Sequence, residues 1–164
     1  MSLATFLDSI SHQSKPVKVV VGVAIVQHDK VLLLQRSAAE PYFPNIRELP
    51  SGKAEDEDAT LLDAAARECL EETELAVIES LDEAKSFEYM VEGRGLTLQL
   101  NFVVKAVREV TINQEEHQHY KWCNDEQVGQ IGVSESTRQV LSGVFSWQKE
   151  RKSWYKEYLC FPAK

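Results

Sequence analysis

Residues 67–75 read Arg-Glu-Cys-Leu-Glu-Glu-Thr-Glu-Leu (RECLEETEL), and the interpretation of this stretch decides the fold. From Asp58 to about Thr73 the chain follows a helical period. At about 100° per residue, Leu61, Leu62, Ala65, Ala66, Cys69 and Leu70 form one broad apolar face. On the same wheel Glu68 and Glu72 fall close together, with Glu71 within a turn of both. Glu72 sits at the edge of the apolar face, where partial burial is expected. Like charges three and four positions apart destabilise a helix, more so when desolvated. No cation follows four positions on, because positions 75 and 76 are Leu and Ala. Arg67 points elsewhere on the helix and relieves only part of the strain. A divalent cation would relieve it, and an oxygen-only donor set favours Mg2+ or Mn2+ over zinc. The alternative, a solvated acidic face at a helix end, is common, but carboxylates there oppose the helix dipole.

Upstream of this helix, VKVVVGVAIVQ (17–27) is β-branched and apolar, as a largely buried strand should be. A polar turn at His28-Asp29-Lys30 leads into VLLLQR (31–36), the returning strand of a hairpin. SAAEPYFPNIR (37–47) holds two prolines and reads as a loop before a brief ELP strand and Gly52. Thr60 with Asp63 forms a capping-box signal, and Asp58 is a rival N-cap. Strand patterns follow at 76–80, 84–92 and 95–107, the last two joined by a turn at residues 92–95. A polar loop (111–118), a short HYKWC strand (119–123) and a helix from near Ser134 to about 152 complete the pattern, with an aromatic tail, WYKEYLCF. The class is α/β or α+β, a mixed sheet with one early and one late helix.

The chain has 164 residues and a formal charge of −8. This length predicts an N-terminal arm or short helix over 1–16 and a single domain over 17–164. The acidic balance argues against a surface that coats double-stranded nucleic acid, since phosphates need clustered Lys and Arg. A phosphorylated small molecule stays compatible, because a bound cation reverses the local field. Cys69, Cys123 and Cys160 are widely spaced, which disfavours a zinc site or a disulfide framework. No apolar run reaches membrane-spanning length, and the first residues carry no targeting pattern. The expectation is a cytoplasmic protein that meets no membrane.

Taken together, Gly52 to Leu75, GKAEDEDATLLDAAARECLEETEL, resembles the Nudix box, G-x5-E-x7-R-E-U-x-E-E-x-G-U with U aliphatic. Gly52, Arg67-Glu68, Glu71-Glu72 and Leu75 match. There are three departures. The loop before Arg67 is one residue longer, so the early acidic position falls on Asp58 or Glu57. Cys69 takes an aliphatic slot, and Glu74 stands where the family has glycine. A left-handed backbone there would cost Glu on the order of 1 kcal/mol.

The resemblance implies a Nudix-like α/β/α sandwich around a mixed sheet, and Mg2+- or Mn2+-dependent hydrolysis of a diphosphate linkage in a nucleoside diphosphate derivative. It implies that the Gly52 carbonyl and the Glu68, Glu71 and Glu72 carboxylates hold metal. Arg67 would orient Glu68 or the early acidic residue. The family often adds a loop glutamate as ligand or base, and EEHQHYKWC (115–123) resembles its E-H-x-x-x-x-W pattern, pointing to Glu116 first and Glu115 second. His117 and His119 read as strand or loop decoration. Many relatives are dimers, so a homodimer is an expectation of the resemblance. Arg36 and Arg47 are candidates for substrate phosphates, and Tyr42, Phe43, Phe87, Tyr89 and Trp122 for stacking on a base. ELPSGK is similar to the opening of the box in nucleoside-diphosphate-sugar hydrolases, but no proline occurs between Pro50 and Pro162. Tyr89 falls near a tyrosine of the dinucleoside-polyphosphate branch, with short spacing. A Nudix-fold module that binds a nucleotide or protein without turnover is the alternative.

Overall fold

The computed structural model describes residues 1–10, 16–93 and 95–159. Its elements are α1 (Leu3–Ser9), β1 (Lys18–Gln27), β2 (Lys30–Arg36), β3 (Arg47–Glu48), β4 (Ser51–Lys53), α2 (Leu61–Thr73), β5 (Ala76–Val91), β6 (Gly95–Val107), β7 (His117–Cys123), α3 (Asp125–Val128) and α4 (Glu135–Leu159). The sheet runs β3-β2-β1-β6-β5, with β4 paired to β1 and β7 to β2. Among these strand pairs β1–β6 is parallel and the others are antiparallel, so the sheet is mixed as expected.

Alternation along β1 makes the layers. Val19, Val21, Val23 and Ile25 pack with Leu61, Ala64, Ala65 and Cys69 of α2. Ala24 joins the opposite cluster, with Val140, Leu141, Val144 and Phe145 of α4. A period of two in the strand thus meets two amphipathic helices, one on each face, giving the α/β/α sandwich.

The partners of β1 change along its length. Val20–Gly22 pair with β4, whereas Val26 and Gln27 pair with β2. The sheet therefore forks, and β3, β4 and α2 converge at the fork.

Several boundaries move from the sequence-based expectation. Thr60 wins the N-cap of α2: its Oγ1 accepts the Asp63 amide at 3.1 Å and donates to the Asp63 carboxylate at 2.8 Å. The two strands expected at 76–80 and 84–92 are one long β5 with three register shifts against β6. Bulges let a strand continue where the side-chain alternation breaks, which is why the pattern looked like two. The ELP strand is instead two short ones on either side of Leu49-Pro50, consistent with proline's missing donor. β7 begins at His117, two residues early, and α3 was not foreseen; Asn124 and Gln127 close a reciprocal capping box around it. α4 continues to Leu159, taking in most of the aromatic tail, whose last residues Cys160 and Phe161 lie outside the described residues.

The N-terminal segment forms α1, capped by Ser2, with Leu3, Phe6 and Leu7 against the α2-side core. Its anchor is a hydrogen bond from the Leu61 amide to the Met1 carbonyl, 3.0 Å. Among the described residues no helix is long and apolar enough to cross a membrane.

Candidate metal and phosphate site

The helical wheel needs one correction. Leu70 is 44% exposed, while Glu72 is 6% exposed and lies on the same buried side of α2 as Leu61, Ala64, Ala65 and Cys69. The buried arc of α2 is therefore turned toward the glutamate side, and Glu72 lies within it and not at its edge. Its Oε2 accepts the Ser51 amide at 2.9 Å, joining α2 to β4. Burial pushes this carboxyl well above its ordinary range, against the Ser51 bond, and the charges of Glu48, Glu116 and Glu68 push it further.

Glu68 stands one turn earlier, directly over Gly52. A Cβ at position 52 would lie within 2.3 Å of the Glu68 carboxylate atoms, so any other residue here would push that carboxylate from its place. Burial also raises the Glu68 carboxyl, partly offset by its bond to Arg67. Gly52 and Glu68 thus define a narrow, oxygen-lined contact between β4 and α2.

Arg67 reaches more of the cluster than the wheel suggested. Its Nε and Nη2 each donate to Asp58 at 3.0 Å, and Nη1 donates to Glu68 at 2.8 Å and Glu71 at 3.3 Å. Nη2 also donates to the Lys53 carbonyl at 3.0 Å, fastening the box loop to the helix. The Asp58 bond raises the guanidinium and lowers the Asp58 carboxyl. Of the two early acidic candidates, Asp58 is the one in contact with Arg67. Gly52 and Asp58 keep the five-residue spacing of the box, so the extra residue falls between Asp58 and Arg67; ahead of Asp58, Glu55 donates its amide to it at 2.8 Å.

The C-terminal end of α2 explains how a distant loop joins the site. The Thr111 and Asn113 amides donate to the Thr73 and Glu72 carbonyls at 2.9 and 3.0 Å, satisfying acceptors that a helix end leaves open. The same loop carries Glu116, held by the Asn113 side chain at 3.1 Å, and its charge acts on both Glu68 and Glu72. Glu74, the C-cap, adopts φ 56° and ψ 8° and donates its amide to the Leu70 carbonyl. The position that calls for glycine is indeed left-handed. Glu74→Gly is expected to raise stability by about 1 kcal/mol, measured by urea unfolding, and to leave turnover unchanged.

Cys69 is a core residue, its thiol raised by burial to about 11 and donated to the Leu75 carbonyl. That is the behaviour of a small apolar side chain, not of a nucleophile.

The substrate candidates divide. Arg36 is taken up by Glu48 at 2.8 Å, Glu40 at 2.7 Å and the Tyr42 carbonyl at 3.0 Å. Burial shifts the Tyr89 hydroxyl upward, as does the Glu48 charge, while Arg36 opposes the shift; Tyr89 thus shares their surroundings. Arg47 is not brought to the acid cluster. It donates to Gln35 at 3.1 Å, and its charge acts on Cys123. Neighbouring strand residues point to opposite faces, so Arg47 and Glu48 serve opposite sides. Of the aromatics, Phe87 and Tyr89 pack at 5.9 Å between centroids, Trp122 packs on the α2-side core, and Tyr42 and Phe43 are exposed.

Two residues of this region were given no role from sequence. Glu48 bonds Arg36 and faces Glu72 electrostatically. His117, 1% exposed, places Nε2 3.5 Å from Glu48, with neither ring nitrogen hydrogen-bonded. The usable signal was an acid on the short strand leading into Gly52, but its charge looked like that of an ordinary edge strand.

An acid cluster ordered by one arginine lies where β4 meets α2 on an α/β/α scaffold. The family model of the NUDIX domain matches residues 16–147, and the chain belongs to this family of hydrolases. Solved structures with the same fold include the E. coli ORF135 protein, 24% identical, covering 82% of this chain and 92% of that one at TM-score 0.68. A C. elegans Ap4A hydrolase, in a binary complex, is 24% identical, covering 81% and 98% at TM-score 0.65. The NUDIX domain of Shewanella oneidensis NrtR, complexed with ADP ribose, is 21% identical, covering 93% and 99% at TM-score 0.66. No curated protein sequence matches this chain.

NUDIX hydrolases generally use divalent metals. The donor set here fits such an ion. It is oxygen-only, and it includes a buried carboxyl, Glu72, that accepts the Ser51 amide and feels the like charges of Glu48, Glu116 and Glu68 alongside the Arg36 cation. Among the described residues no three His, Cys, Asp or Glu side chains already form a closed ligand group. Arg67 instead holds Glu68 and Glu71.

Proposed function

We propose that this chain hydrolyses a diphosphate linkage in a nucleoside diphosphate derivative, with Mg2+ or Mn2+ bound by the box. The observation that carries the proposal is buried Glu72, set among Glu48, Glu68 and Glu116; its carboxylate accepts the Ser51 amide and feels the Arg36 cation only through its charge. Burying a carboxylate beside like charges costs free energy that packing does not return, and a cation-binding role explains why it is tolerated. Two structures of the same fold, an Ap4A hydrolase and a NUDIX domain complexed with ADP ribose, support nucleotide derivatives as the substrate class.

In this reading Glu68, Glu71, Glu72 and Glu116, with the Gly52 carbonyl, would hold the ion. When bound, such an ion neutralises phosphate charge and lowers the pKa of a water. Arg67 orients the Glu68 and Glu71 carboxylates through its Asp58 anchor. Glu116, on a loop hydrogen-bonded to the end of α2, is the acceptor for a proton from the attacking water. Arg36 presents its Glu48-bonded guanidinium to the phosphate side, and Tyr89 stands beside it. Arg47, on the other side of β3, takes no part.

The test is a panel of nucleoside diphosphate sugars, dinucleoside polyphosphates and nucleoside triphosphates with Mg2+ or Mn2+, products identified by chromatography. Release of a nucleoside monophosphate or diphosphate from at least one member, lost on chelation, is expected. Binding without turnover would identify a nucleotide-binding module instead; neither binding nor turnover would overturn the proposal.

A further inference from the structure

The loop of residues 37–46 joins β2 to β3 and starts beside the Glu116 loop. The Ser37 amide donates to the Glu116 carbonyl at 2.8 Å, and Arg36 ties Glu40 and the Tyr42 carbonyl to Glu48. The Gln118 side chain donates to the Arg36 carbonyl at 2.9 Å and to the Asn45 side chain at 2.8 Å, and Gln35 donates to the Asn45 carbonyl at 3.1 Å. Each anchoring residue lies on β2, β3, β7 or the Glu116 loop, so the segment is tied at several points to the strands it joins.

What this loop displays is apolar. Tyr42 is 45% and Phe43 64% exposed. Phe43 and Asn45 both take positive φ, 52° and 63°. A bulky aromatic residue is disfavoured in that conformation, and exposure of its ring to water returns nothing that would offset it. Large exposed aromatics on an anchored surface mark contact sites, and a ring offers its face to any flat heterocycle regardless of its hydrogen-bonding edge.

Resting on the function proposed above, we infer that Tyr42 and Phe43 form the base-stacking subsite of this enzyme, receiving the heteroaromatic base of the nucleotide while its phosphates lie at the acid cluster. Continuity decides the occupant: the loop is hydrogen-bonded at Ser37 to the residue carrying the Glu116 carboxylate. A ligand that spans both features carries phosphates at one end and a flat ring at the other. The subsite reads a π face and not a base edge, so it favours nucleotides over base-free diphosphates and discriminates weakly between purines.

The test separates this inference from hydrolysis. The dissociation constant of a fluorescent etheno-ADP probe is measured with Mn2+ for the unmodified protein, Tyr42→Ala and Phe43→Gly, with inorganic pyrophosphate as the base-free control. Phe43→Gly removes the ring and relieves the positive φ together, so its thermal midpoint is expected to hold or rise while etheno-ADP affinity falls. The expected loss is about 5- to 100-fold for each variant, with pyrophosphate affinity unchanged. Unchanged etheno-ADP affinity in both variants, an equal loss for pyrophosphate, or no etheno-ADP binding by the unmodified protein would overturn the inference. Base-dependent binding by a protein that hydrolyses no member of the panel would sustain the subsite and remove the hydrolase reading alone.

Discussion

Glu72→Gln is expected to make the metal-free protein more stable while lowering its metal-dependent turnover at least about 100-fold, the upper end of what loss of a metal site's outer partner costs. Both effects come from one carboxyl. Glu72 is buried and keeps only the Ser51 amide, a bond that the amide oxygen of glutamine also accepts. The charge that substitution removes is opposed by burial and by Glu48, Glu116 and Glu68. A raised carboxyl disfavours folding above its unfolded titration, about pH 4.3. Below that value both states hold the proton and the two proteins should differ little. As pH rises through the window up to the higher folded value, the folded state holds more protons, and the unmodified protein loses stability that Glu72→Gln retains. The gain at neutral pH should be on the order of 1–3 kcal/mol, or about 2–4 °C in midpoint per kcal/mol. Mn2+ should reverse the ranking by stabilising only the protein with Glu72 intact. A thermal-shift series in pH with chelator checks this; a midpoint difference constant across pH, or a less stable variant, refutes the account.

Arg67→Ala should do the opposite and weaken both stability and activity. One guanidinium bridges Asp58, Glu68 and Glu71 and holds the Lys53 carbonyl. Asp58 and Glu68 keep only 9% and 12% of their side chains exposed beneath Arg67, so its removal leaves two close carboxylates without their shared cation. Breaking such a pair from one side costs on the order of 2–4 kcal/mol here, less than for a fully buried pair because Arg67 is 31% exposed. The sign with pH is set by Asp58, whose carboxyl is lowered by Arg67. Its stabilisation is present above the unfolded value of about 3.9 and is lost as pH falls through the lower folded value. The Arg67→Ala deficit should therefore shrink in acid. Arg67→Lys should recover little, since a single ammonium cannot meet both Asp58 oxygens and still reach Glu68. Turnover should fall about 10- to 100-fold through loss of ligand orientation. Urea unfolding at neutral and acid pH, with steady-state rates alongside, measures all three.

The two predictions differ because two neighbours in one helix meet different surroundings, a difference only partly legible in sequence. RECLEETEL disclosed that glutamates three and four apart converge, because helical period is a local property of the chain. It did not disclose that Glu72 sits within the buried arc. That depended on which side of α2 the β1 valines would claim, and Leu70 lost that competition to Ala64. Arg67 was underrated for a related reason. Its partners include Asp58 and the Lys53 carbonyl, on a loop whose return to the helix no spacing rule supplies. Glu48 and His117 went unassigned because each lies in a short strand whose facing was set by pairing with β2.

The sequence by itself determined the layered class and the convergence of carboxylates on α2, while the left-handed backbone at Glu74 was implied only by the family resemblance and is seen in the structure. The class and the convergence each follow from a period of two or 3.6. Only the tertiary structure decided that the sheet forks along β1, that Gly52 lies against Glu68, and that Glu116 arrives by bonding to the end of α2. These are contacts between segments far apart in the chain. What selects them is the joint burial of two core faces and the need of open backbone groups for partners, and neither is a property of any single stretch.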